Sequence, residues 1–64
     1  MTIQKMVRDG WTIEDADRAE HFEFERDGRK LASTVMVSPE DWEWYLVEYD
    51  INSSEVVDKY VLED

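Results

Sequence analysis

Apolar and polar residues alternate along the middle of the chain and fall into helical spacing at its two ends. From His21 to Arg26, Phe22 and Phe24 point one way while His21, Glu23 and Glu25 point the other, which predicts a half-buried strand. Asp27-Gly28 is a hairpin signal, since both residues tolerate a positive φ. The return runs from Arg29 to Ser38. Leu31, Ser33, Val35 and Val37 share one of its faces, and Ala32, Thr34 and Met36 share the other. The β-branched run Thr34-Val35-Met36-Val37 suits a central strand.

Before the hairpin, Ile3, Met6 and Val7 make one apolar stripe, so residues 2–9 read as a short helix capped by Thr2. Gly10 stands where a left-handed C-terminal residue belongs, and Trp11 can fold back on Met6 as in a Schellman end. Residues 11–15 alternate and predict a brief strand. A competing reading makes Thr12 a helix cap with Asp15 three residues on. Residues 16–20 form a polar connection.

After the hairpin, Ser38-Pro39-Glu40-Asp41 fits both a type I turn and a helix start. Residues 42–51 fit both periods too. Their aromatic and β-branched content favours a strand, with Tyr45, Val47, Tyr49 and Ile51 on one side and Trp42, Trp44 and Leu46 on the other. Ser53 or Ser54 caps a final helix over residues 55–62, with Val57, Tyr60 and Val61 as its stripe. The expected fold is α+β: a three- to four-stranded antiparallel meander with a short N-terminal helix and a C-terminal helix on one face. The other face is wet, so one row of the Trp42 to Ile51 strand is left exposed.

With 64 residues the chain is a single domain. There is no cysteine, which removes disulfides and thiolate metal sites from the account. Three Trp, three Tyr and two Phe supply a real core and separate the chain from disordered acidic tails. Residues 1–10 lack the apolar run of a signal peptide, and no segment is long and apolar enough to span a membrane, so the cytoplasm is the expected location.

Charge changes the picture most. Seventeen Asp and Glu oppose seven Lys and Arg, for a formal net charge of −10. Such a chain is repelled by nucleic acid and anionic membrane and attracted to basic surfaces. The acids cluster. Glu14, Asp15, Asp17, Glu20, Glu23 and Glu25 form a first patch, and Glu40, Asp41 and Glu43, with Trp42 among them, form a second. Brought together, they would make one broad negative surface. The bland account of the same acidity is solubility, or adaptation to a salty cytoplasm.

Other chemistry is poorly supported. His21, Glu23 and Glu25 share a strand face, but residues two apart lie about 6.6–6.8 Å apart, too far for both carboxylates to grip one ion unaided. Glu14, Asp15 and Asp17 lack the glycine and glutamate of a calcium loop. With two glycines in the chain there is no phosphate-cradling loop, and no motif gives Ser33, Ser38, Ser53 or Ser54 a base. No catalytic residue, cofactor or metal is expected.

In its size, acidity, lack of cysteine and α+β pattern, the chain resembles the small acidic inhibitors of phages and mobile elements, including anti-CRISPR proteins and other DNA mimics. That resemblance implies a stoichiometric inhibitor that occupies the basic surface of a nucleic-acid-handling partner. The alternative is a small structural or housekeeping module that acts as a homodimer through its second aromatic row. A halophile's orphan domain is a third reading.

Overall fold

The computed structural model describes residues 1–14 and 22–62. The expected polar connection at residues 16–20 lies outside them. A six-residue helix, α1 (Ile3–Arg8), is followed by five strands: β1 (Thr12–Ile13), β2 (Phe22–Arg26), β3 (Arg29–Val37), β4 (Trp44–Asp50) and β5 (Val56–Val61).

The helix ends as its sequence dictates. The Thr2 hydroxyl accepts the Lys5 N–H at 3.1 Å. At the other end the Trp11 N–H reaches the Met6 carbonyl at 3.0 Å and the Gly10 N–H reaches that of Val7 at 3.1 Å. These are the two bonds of a Schellman motif. Gly10 sits at φ +107°, and a Cβ there would meet Pro39 Cβ at 3.2 Å.

The strands form one antiparallel sheet in which β3 is central. On one side β3 pairs with β4, which pairs in turn with β5. On the other side β1 and β2 share its length. Thr12 pairs with Val37 near the C-terminal end of β3, and β2 pairs from Phe22–Ser33 to Arg26–Arg29 near its start. Asp27 and Gly28 both adopt positive φ, 52° and 76°, as the two-residue hairpin between β2 and β3 requires.

Two expectations are corrected. The protein is mostly antiparallel sheet, closer to all-β than to α+β, and residues 56–61 are a strand where a C-terminal helix was expected. Val57, Tyr60 and Val61 satisfy helical spacing, but Val56, Val57, Tyr60 and Val61 are also β-branched or aromatic. Non-local pairing decides between them. The Asp50 carboxylate accepts the Asn52 and Ser53 N–H groups at 2.8 and 3.0 Å. The Ser54 N–H returns to the Asp50 carbonyl at 2.7 Å, which closes a tight turn. Ser53 does receive the Glu55 N–H, at 3.2 Å. Yet the Val56 N–H is taken by the Met1 carbonyl at 2.7 Å, and β5 then satisfies the edge of β4.

The core lies between α1 and one face of the sheet. Met6, Met36 and Val47 are fully buried there, with Ile3, Trp11, Tyr45 and Val56 packed around them. Trp11 meets Tyr45 edge-on at 5.2 Å, and the Lys59 ammonium lies 5.2 Å from the Trp11 ring and 5.6 Å from that of Tyr45. The Tyr45, Val47 and Tyr49 row of β4 is therefore the core row, and Trp44 and Leu46 face the other way. Among the described residues no helix covers that second face.

Candidate binding surface

Strand pairing sets the open face in rows that cross the sheet. The first runs Thr12, Val37, Trp44, with Leu62 beside Trp44 through its N–H to the Trp44 carbonyl at 2.7 Å. The second runs Val35, Leu46, Tyr60, and the third Phe22, Ser33, Glu48, Asp58. The fourth runs Phe24, Leu31, Asp50. Strand alternation alone produces this layout, because every second residue shares a face.

The face divides into two halves. The half near the β2–β3 hairpin is polar but internally matched. The Arg26 guanidinium crosses β3 to grip both oxygens of Glu48 at 3.0 and 3.2 Å, and its carbon lies 5.2 Å from the Phe24 ring centre. Arg29 pairs with Asp50 at 3.1 Å. The Tyr60 hydroxyl donates to Asp58 at 2.7 Å and lies 3.4 Å from Glu48. The Glu48 and Tyr60 partners hold the Arg26 charge above its ordinary pKa, the Glu48 hydrogen bond being the largest cause.

The other half is apolar and rimmed by acid. Trp44 is 48% exposed and Leu62 beside it 39%. Where β3 turns into β4, the Ser38 N–H meets the Glu43 carbonyl and the Trp42 N–H the Ser38 carbonyl, each at 3.0 Å. Inside this loop the Asp41 carboxylate accepts the Glu43 N–H at 3.0 Å and the Tyr45 hydroxyl at 3.1 Å. These bonds, the Glu43 N–H first, hold its pKa below the ordinary carboxylate value. Asp41 thus stays ionised in a fixed place between exposed Glu40 and Glu43. Trp42 is held at φ 58° and is 73% exposed. A left-handed backbone is costly for a residue with a Cβ, and here it presents a large indole to solvent. Trp42, Glu43, Trp44 and Leu62 line one groove.

The acidic residues singled out in the sequence are only partly brought together. Glu40, Asp41, Trp42 and Glu43 form one turn. Glu14, whose N–H meets the Val35 carbonyl at 3.0 Å, lies in the same half of the sheet. Glu23 and Glu25 stand opposite Ala32 and Lys30, toward the other end. Ala32 on β3 and Ser38 just past its end are six residues apart, or ~20 Å, so the two patches do not merge through Glu23 and Glu25. Asp15, Asp17, Glu20 and His21 lie outside the described residues. Outside these clusters Asp9 is paired with Lys5 at 2.9 Å. Phe22, Trp44 and Leu62 belong to the surface without any charge pattern to announce them. Their signal is the alternation that sets them opposite the core row.

Among the described residues no cluster of three potential metal ligands occurs, and no helix is long and apolar enough to cross a membrane. Comparison with protein-family models, with curated proteins and with solved structures finds no match for the chain.

Proposed function

We propose that this protein is a non-enzymatic binding module that docks on a basic protein surface through the apolar half of its open sheet face and the acidic β3–β4 turn. The observation that carries this reading is the groove in which exposed Trp42 and Trp44 stand beside Glu43, in the same turn as Glu40 and Asp41. Exposed apolar patches rimmed by polar residues mark interaction sites, and Trp is a preferred anchor of protein interfaces. The net charge of −10 selects the partner. It speeds encounter with a cationic surface and disfavours nucleic acid and anionic lipid.

A partner surface built to hold nucleic acid meets these requirements, and the inhibitor role suggested by overall character fits it. The polar half supports a local contact better than a long phosphate mimic, because Arg26 and Arg29 neutralise Glu48 and Asp50 there. The absence of cysteine suits a reducing cytoplasm.

The test is affinity capture from host lysate with the wild type, with Trp44→Ser, and with Glu40, Asp41 and Glu43 changed together to Lys. The reading expects a basic protein retained by the wild type, lost with both variants and displaced by competitor DNA. Equal capture by all three would overturn it. A doubled mass in size-exclusion chromatography that Trp44→Ser abolishes would favour the homodimer instead.

A further inference from the structure

We infer that the groove between Trp42 and Trp44 is a receptor for one arginine side chain, its guanidinium stacked on indole and paired with Glu43. This rests on the docking surface proposed above and names the contact that would anchor it.

The groove is lined by Trp42, Glu43, Trp44 and Leu62 and has a volume of about 510 Å³, open to solvent. That is ample for one long side chain entering from outside. Two indoles and one carboxylate are the components of an aromatic cation site: the ring faces attract positive charge, and Trp does so best. Glu40 and Asp41 belong to the same turn but line a separate hollow with Trp11, Tyr45 and Lys59, so Glu43 is the carboxylate that the groove itself offers a cation.

The chain uses this chemistry on its other face, where the Lys59 ammonium stands 5.2 and 5.6 Å from the Trp11 and Tyr45 rings. Arginine fits the open groove better than lysine. Its guanidinium is flat, stacks on an aromatic plane, forks onto a carboxylate and is weakly hydrated, whereas an ammonium in a wet groove keeps its water. The Trp42 backbone adds a separate observation. A left-handed tryptophan at φ 58° that is 73% exposed gains little from burial. Strain of that kind gathers at ligand clamps.

The experiment uses the full chain, ¹⁵N-labelled, with its three indole N–H resonances assigned by single Trp→Phe variants. Nα-acetyl-arginine amide is titrated to high millimolar concentration, and Nα-acetyl-lysine amide in parallel. The Trp42 and Trp44 resonances are expected to shift saturably while Trp11 stays. Arginine should be favoured about two- to fivefold. Trp42→Leu and Glu43→Gln should each weaken the response severalfold in chains whose remaining amide spectrum is unchanged. No saturable shift, equal response to the lysine compound, or parallel movement of Trp11 would each overturn the inference. The proposed docking stands or falls separately. Lysate capture that depends on Trp44 without arginine binding would leave the surface intact and remove the receptor.

Discussion

Arg26 and Glu48 meet across an intervening strand, two nitrogens against two oxygens at 3.0 and 3.2 Å, although 22 residues separate them in sequence. Arg26 stands opposite Arg29 and Glu48 opposite Ser33, so the contact runs diagonally over β3. The Glu48 side chain is only 8% exposed and that of Arg26 49%. The pair is therefore asymmetric: removing the arginine strands a buried carboxylate, while removing the carboxylate releases a cation that can reach water.

Arg26→Met should thus destabilise the protein more than Glu48→Gln, which should cost about 1 kcal/mol. The double variant should recover part of the loss, because no orphan charge remains. Urea midpoints of the four proteins in one double-mutant cycle check this. Equal single losses that simply add would refute the asymmetry.

Gly10→Ala should be among the most damaging small substitutions. It forces an L side chain to φ +107° and drives a Cβ to 3.2 Å from Pro39. Such strain costs about 1–3 kcal/mol, and in a domain this small each kcal/mol moves Tm by roughly 4–8 °C. A thermal melt reads it directly. Gly28→Ala is the control, since nothing lies within 4 Å of the site and only its φ of 76° opposes the change. It should lose less.

Trp42→Asn should raise stability by about 1 kcal/mol, because asparagine tolerates the left-handed backbone better. The same change should abolish partner capture. A residue that weakens the fold and is required for binding is retained for binding. Calorimetric melting and capture on the same variant test both halves.

Stability should fall at both ends of the pH range. Asp41, Asp50 and Asp58 all lie below the ordinary carboxylate pKa of 3.8. Their leading causes are the Glu43 N–H, the Ser53 N–H and the Tyr60 hydroxyl respectively. A lowered folded pKa contributes stability that is present above 3.8 and lost as pH drops through the folded values. Tyr45, Tyr49 and Tyr60 are all raised above 10.0, by the Asp41 hydrogen bond, by burial and by the Asp58 hydrogen bond respectively. Their contribution is complete below 10.0 and disappears as pH climbs through the folded values. Phenolate absorbance should therefore rise only above pH 10. Denaturant midpoints at pH 5, 4 and 3 should decline in that order.

The residues that announced themselves in the sequence are those whose partners are near in the chain. Thr2 and Gly10 bracket α1, Asp27-Gly28 makes the hairpin, and the alternation of β3 separates Val35 from Met36. The β5 strand was not legible as one. Val57, Tyr60 and Val61 satisfy two periods, and the unpaired edge of β4 that chooses between them lies elsewhere in the chain. For the same reason Arg26 gave no sign of Glu48, whose position depends on strand order. Within the candidate surface the acidic turn was legible as a charge cluster. The left-handed backbone of Trp42 was not, and neither was the separation of Glu23 and Glu25 from that turn.

Oxidative footprinting of the three tryptophans, free and with the captured basic partner bound, tests the docking surface most directly. In the free chain Trp42 and Trp44 should oxidise quickly and Trp11 slowly, and on binding both exposed indoles should become protected while Trp11 is unchanged. A complex in which Trp42 and Trp44 stay as reactive as before would contradict the assignment of this face as the place where the protein binds.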